Sequence, residues 1–269
     1  MSTPPEDEHL PERLRAQAFI RDGEEAVGRS WFRSLTRFLD RVRPDVVQHS
    51  GGLSIEPGNV AQHAQYWSDQ VDVEVVPTIR GVLTDAWSRV RGQGPTGDVW
   101  VSGYLDQAGN RLKRVPDEVY ALIVAQVEAG LREAESIDVI AQRVELVLTA
   151  TGSERWPNRA RTVARTETLG AVNAGIYRSA VLEAQDRGDP APFKAWLATE
   201  DRLTRDTHRA ADGQRTLLTE PFVVGGAPLL FPGDPTGPAQ EVINCRCTTL
   251  PFILGQRIDW TDRQNARGT

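Results

Sequence analysis

Cysteine and lysine are nearly absent from this chain. Cys245 and Cys247 are the only thiols among 269 residues, too few for the disulfide framework of a small secreted domain. Lys113 and Lys194 are the only lysines, so every other basic residue is an arginine. GC-rich coding, which favours arginine over lysine, is the plain reading of that bias, and selection for guanidinium contacts the other. Its physical consequence is a set of always-charged, bidentate guanidinium groups suited to carboxylates and phosphates. Apolar runs are short, and none approaches the ~20 residues that cross a bilayer. The N-terminus MSTPPEDEHLPERLR is acidic and proline-rich, where a signal peptide is basic and then apolar. The expectation is therefore a protein of the cytosol, or of a particle packaged from it, with no membrane contact. A formal charge of -6 makes the whole molecule unsuited to binding polyanions, so any nucleic-acid contact is local. HExxH, Walker-type glycine loops and the His-x-Glu with Pro-Cys-x-x-Cys pair of zinc deaminases are also missing.

What is present is mostly helical periodicity. After an acidic tail over residues 1–10, expected to be flexible, Leu14, Trp31, Leu35, Phe38, Leu39 and Val42 recur at helical steps up to Arg43, with a break expected near Gly23. The same stretch carries Arg29, Arg33, Arg37 and Arg41, four arginines at i, i+4 spacing that form one row. Such a row is either a solvated face or a contact for DNA phosphates or an acidic partner. Val60, Ala64, Trp67, Val71 and Val75 predict a second helix, and Pro77 should interrupt it before Ile79 to Val90 continue. Residues 98–115 read as a β-hairpin, VWVSGYL and RLKRV, with DQAGN as the turn. Asp117 is expected to cap a helix and Ser136 the next, before a long helix from Arg159 to Arg187. Beyond Pro190 the pattern changes. PFKAWLATED alternates as a strand, EPFVVGGAPLLFPGDPTGPAQ suggests a hairpin and a loop, and EVINCRCTTLPFI reads as a last strand. The fold class is α+β: a helical region over 11–115, then a compact domain over 116–255 made of a long helix and a small antiparallel sheet. Residues 256–269 have the composition of a tail that needs a partner to become ordered.

Cys245 and Cys247 lie two apart on the predicted strand, so both sulfurs face one point. A disulfide between them closes a small, strained ring, whereas two thiolates aimed at one point suit a soft divalent metal, zinc above all. The best further donors are in DRLTRDTHRAADG: His208 with Asp201, Asp206 or Asp212. If two thiolates, the histidine and a carboxylate fill the coordination, the site is structural. The alternative is that the thiols are small core residues and His208 only hydrogen-bonds a carboxylate.

Several blocks stand in a fixed order: Arg165, Thr166 and Glu167 with Asn173 on a helix; Trp196; Asp201, Arg205, His208, Asp212, Gly213 and Gln214; Phe222 and Pro232; and Asn244, Cys245, Arg246 and Cys247. Together they resemble the phage Mu F-like head morphogenesis family, the minor capsid proteins of tailed bacteriophages. The resemblance covers about the last 120 residues and does not extend to the first 115. It implies a non-enzymatic virion protein, assembled in the host cytoplasm and placed inside the head near the portal vertex. It also implies portal and major capsid proteins as partners, with packaged double-stranded DNA a further candidate. The helix with Thr166 and Asn173, two turns apart on one face, is expected to hold the strand domain, and Glu167 to pair with an arginine of it. The competing function is a metal-dependent enzyme or toxin-like effector acting on nucleic acid or nucleotide.

Overall fold

The computed structural model describes residues 10–152, 154–188, 192–199 and 201–253, so the expected tail at 256–269 and all of the expected 1–10 tail but Leu10, which begins the first helix, lie outside the described residues. The fold is α+β, as the periodicities imply. Two compact units are each assembled from separate stretches of chain. One, the helical unit, takes 27–81 and 97–164. The other, the mixed unit, takes the described parts of 1–26, 82–96 and 165–269.

In the helical unit, α1 (Leu10–Val46) supplies Val27, Trp31, Leu35, Phe38, Leu39 and Val42, all fully buried. After the short strands β1 (Val47–Gln48) and β2 (Ser54–Ile55) comes a 3-10 turn, Pro57–His63, and then α2 (Ala64–Gln70). Trp67 on α2 anchors this core. Its ring meets Trp31 edge-on at 6.2 Å and Phe38 at 5.5 Å, and its indole N–H donates to the Leu112 carbonyl at 2.8 Å. The chain is not interrupted at Pro77. A π-turn over Val71–Val75, in which Val76 N–H reaches back to the Val71 carbonyl, leads directly into α3 (Val76–Arg91). The wider turn accommodates a ring that would clash with the carbonyl of a regular α-turn.

The hairpin expected over 98–115 is a helix instead, α4 (Val99–Leu112). Asp98 caps it, accepting from Trp100 N–H at 2.9 Å and Val101 N–H at 3.2 Å. Val101, Tyr104, Leu105, Ala108 and Leu112 are its buried stripe, at a helical period. The glycine of the supposed turn, Gly109, is a contact: a Cβ there would lie 3.1 Å from Val76. The next helix, α5 (Val115–Arg132), starts before Asp117, with Pro116 in its first turn, so Asp117 is not the cap. Ser136 does cap α6 (Ile137–Val147), accepting from Val139 N–H.

In the mixed unit α7 (Arg155–Arg187) is the scaffold from Arg165 onward. Gly175 lets it approach α3 closely, since a Cβ there would lie 2.7 Å from the Leu83 carbonyl. Gly23 does not break α1, and its missing side chain makes room for Thr168 and Val82. The sheet is three-stranded and antiparallel, in the order β4-β3-β7. Its strands are β3 (Pro192–Leu197), β4 (Arg215–Leu217) and β7 (Thr248–Ile253). Phe193 of β3 pairs with Leu217 of β4 and with Phe252 of β7. The expected alternation of β3 is lost because Lys194, Ala195 and Trp196 are all buried, one after another. A short helix, α8 (Asp206–Ala211), follows β3. The hairpin of the proline-rich region is present as β5 (Phe222–Val224) and β6 (Ala227–Leu229), turned by Gly225 and Gly226 at φ 57° and 82°. The last strand begins later than its sequence suggests. Ala239–Val242 form a helical turn, α9, and both cysteines lie in the segment before β7. Among the described residues no helix is long and apolar enough to cross a membrane.

Lys194 points under the loop after β6. Its ammonium donates to the Leu230 carbonyl at 2.7 Å and sits 4.7 Å from the Tyr177 ring and 5.0 Å from Phe222. Burial lowers its pKa to about 7, against the opposing pull of Asp234 and Glu220. Between that value and the ordinary lysine range the unfolded chain binds the extra proton, so stability rises with pH. Unfolding by urea at several pH values should show the chain gaining stability from about pH 7 to about pH 10, with that gain lost in Lys194→Met. In the helical unit, Asp98→Ala should cost about 1 kcal/mol and Asp98→Asn far less. A hairpin would show no such dependence.

Candidate metal centre

The segment Asn244-Cys245-Arg246-Cys247 crosses the mixed unit with its backbone tied down on all sides. Thr166 Oγ1 on α7 accepts from Asn244 N–H at 3.0 Å. Two turns on, Asn173 donates to the Cys247 carbonyl at 3.0 Å and accepts from Thr249 N–H at 3.0 Å. Thr199 donates to the Arg246 carbonyl at 2.6 Å, and Arg205 donates to the Ile243 carbonyl. Asn244 takes the left-handed conformation, φ 57°, which turns the chain from α9 into this segment. Thr166 and Asn173 on α7 thus hydrogen-bond directly to the cysteine segment and to the start of β7.

His208 arrives from the other side on α8. Its Nδ1 lies 3.3 Å from Cys247 Sγ and 3.8 Å from Cys245 Sγ, and the three donor atoms fall within 4.8 Å of one another. A tetrahedral zinc at ~2.3 Å from sulfur and ~2.0 Å from nitrogen sets its donors roughly 3.5–3.8 Å apart. The two nitrogen–sulfur distances, 3.3 and 3.8 Å, lie close to that spacing. All three residues are buried. The other ring nitrogen, Nε2, is 3.1 Å from Glu241 Oε2, which also accepts from Thr207 at 2.8 Å. With a metal held by Nδ1, that carboxylate would accept the Nε2 proton and orient the ring, the arrangement typical of metal-binding histidines. Trp196 stands edge-on to the imidazole at 5.5 Å and to Phe222 at 5.4 Å, closing the site with apolar surface.

The thiols share a proton unequally. Cys247 is held below the ordinary thiol range by the hydrogen bond from Cys245 and by His208. Cys245, the donor in that bond and deeply buried, is held above it. Of the two sulfurs, Cys247 is thus the one that ionises more readily.

The three aspartates expected to complete the ligand set are engaged elsewhere. Asp201 forms a two-pronged ion pair with Arg246, one arm at 2.6 Å, and those hydrogen bonds lower its pKa to about 2. Asp206 is nearly fully exposed and pairs with Arg209 at 2.9 Å. Asp212 accepts from Ala198 N–H at 2.9 Å, which joins the end of α8 to the end of β3. The carboxylate that does reach the histidine, Glu241, was not among the expected residues. It lies four positions before Cys245, and a search for carboxylates beside the cysteines as well as beside His208 finds it. Gln214 braces the β5 backbone by accepting from Val223 N–H at 2.9 Å. Arg165 lies 3.8 Å from Glu24, and Glu167 is buried on α7.

The arginine row belongs to the helical unit and is exposed throughout. Arg37 is engaged there by Glu74 at 2.9 Å and Gln70 at 3.3 Å, and Arg41 lies 4.7 Å from the Tyr66 ring.

Residues 119–250 match the family described as phage Mu protein F like protein. The chain is also similar to the NAD(+)–arginine ADP-ribosyltransferase EFV of Enterococcus faecalis (strain ATCC 700802 / V583). The two are 32% identical over 149 residues, which is 54% of this chain and 28% of that protein. The chain thus spans less than a third of that relative's length. No solved structure matches the chain.

Asn173→Ala leaves the Cys247 carbonyl and the Thr249 N–H buried without their partner. It should destabilise the protein by about 2–4 kcal/mol, measured by urea unfolding. Asp206→Ala, on an exposed side chain, should stay within about 0.5 kcal/mol of the parent.

Proposed function

We propose that the chain is a minor capsid, or head morphogenesis, protein of a tailed bacteriophage. It works inside the head near the portal vertex after assembly in the host cytoplasm. The single observation that carries this is the match of residues 119–250 to the phage Mu F-like family. Portal and major capsid proteins are the proposed partners. Packaged double-stranded DNA is a further one, through the exposed arginine row, although Arg37 and Arg41 are partly spent on their own unit.

In this reading His208, Cys245 and Cys247 hold one structural zinc, with Glu241 orienting the imidazole. Bound there, the metal contributes folding energy and no turnover. The donor spacing, the burial of all three residues and the position of Glu241 support it. Elemental analysis of purified protein should find about one zinc per chain. Cys245→Ser should lose it together with thermal stability, while Glu241→Gln should weaken metal affinity by roughly 10–100-fold. Metal-free protein that is fully folded would overturn the zinc.

The similarity to EFV favours a second reading, a toxin-like effector that modifies its target enzymatically. The two readings separate on one preparation. Labelling of the chain in intact particles should place it inside the head at the unique vertex, and the purified protein should transfer no ADP-ribose from NAD+ to an arginine substrate. Transfer that survives purification, with no chain in the particle, would establish the effector instead.

A further inference from the structure

An apolar groove of about 540 Å³ opens on the mixed unit between the sheet and its helices. The residues from Thr248 to Phe252 line it without a gap. Side chains of a strand alternate between faces, so an unbroken run means that the groove follows the edge of β7, the outer strand of β4-β3-β7 among the described residues.

That edge has few donors to offer. Trp196 turns its N–H and its carbonyl to Gln214 and Gly213 on the β4 side. Its partner Thr249, and Pro251 two positions on, therefore direct their backbone groups outward, away from β3. The Thr249 N–H is already taken by Asn173, and Pro251 has none. A peptide that adds as a strand draws its affinity from main-chain hydrogen bonds, and at these two positions it would find carbonyls alone. A helix satisfies its own backbone and needs only a surface for its apolar face.

The walls supply that surface and a charge. Phe193 and Phe252 stack with ring centres 5.8 Å apart, Ile176 of α7 lines the groove beside them, and Val90 of α3 lines it while 44% exposed. Of the two arginines on the walls, Arg187 is paired with Glu183 at 2.6 Å. Arg89 lies 4.2 Å from the Phe19 ring and, among the described residues, has no carboxylate partner. The groove thus carries one uncompensated guanidinium beside its apolar floor, and the complementary group on an occupant is a carboxylate.

We propose that this groove receives an amphipathic helix of another protein, apolar on the face that it buries and acidic on the flank that meets Arg89. The expected contacts are apolar anchors at helical spacing, set between the phenylalanine pair and Val90, with a glutamate or aspartate at the rim.

The test uses the full chain and three synthetic peptides that share one leucine face: a helix with glutamates on its flank, a helix with lysines there, and the glutamate peptide with a proline at its centre. Fluorescence anisotropy reads their affinities. The glutamate helix should bind, the lysine helix roughly fivefold more weakly, and the proline peptide at least about tenfold more weakly. Arg89→Glu should reverse the preference between the two helices. Val90→Glu, with the circular dichroism unchanged, should weaken both by at least about tenfold, because it buries an unpaired carboxylate under the peptide. Failure of the glutamate helix to bind overturns the proposal. Equal binding by the proline peptide, which would mean an extended occupant, overturns it too, as does binding indifferent to Val90. Two further results would show a different occupant and also overturn it: a dimer of the chain that Val90→Glu dissociates, which puts a second copy in the groove, and peptide binding seen only with a chain cut after Ile253.

Discussion

The amide of Asn173 is the contact on which the mixed unit turns. It is a helical side chain that satisfies, at once, the carbonyl of Cys247 and the N–H of Thr249. The chain passes between those two groups from an irregular segment into a strand, where no sheet partner is available to both. Buried backbone groups require partners, and a carboxamide is the side chain that offers a donor and an acceptor together. Leucine or aspartate at this position would fail one bond or both. Thr166, two turns earlier on the same helix, repeats the device at Asn244. The spacing of the two cysteines is thereby set from α7, outside their own segment.

Around that anchor the charges are sorted by depth. Asp201 and Arg246 neutralise each other at half-exposed positions, and each shifts the other toward its charged form. Glu241 and His208 meet in the interior, where a carboxylate and an imidazole are tolerable because they hydrogen-bond each other and Thr207. Gly225 is part of the same arrangement: a Cβ there would lie 2.5 Å from Glu241 Oε1, and its φ of 57° is one that side chains rarely adopt. Arg246 separates two cysteines in sequence but points away from them in space, which leaves the sulfurs in apolar surroundings with Trp196, Phe222 and Leu229. Three soft or borderline donors converge in a dry setting, braced by a carboxylate on the far side of the ring.

The family match and the site bear on different parts of the chain. Residues 119–250 include α7 from end to end, all of the hydrogen bonds that hold the cysteine segment, and the donor cluster itself. Most of the helical unit lies outside the match, and its organisation rests on Trp67 and the buried face of α1. The similarity to a much longer ADP-ribosyltransferase covers 28% of that protein, a share on the scale of one domain.

The sequence by itself determined the elements whose hydrophobic period is unambiguous: α1, α6 with its Ser136 cap, α7, and the Gly-Gly hairpin. It also paired the cysteines with His208, since these residue types are so rare here that few combinations exist. Tertiary structure decided the rest. Residues 99–112 contain a glycine and an asparagine that suit a turn, and only the buried stripe against the core makes them helix, because packing outweighs weak local propensity. Pro77 ought to stop a helix, yet a π-turn absorbs it at little cost once both flanking segments are packed. The carboxylate facing His208 could not be read from proximity along the chain: three aspartates lie within seven residues of it, and the one that binds it, Glu241, is 33 positions away. Side-chain partnership is set by where the backbone is pinned, and here the pins are on α7.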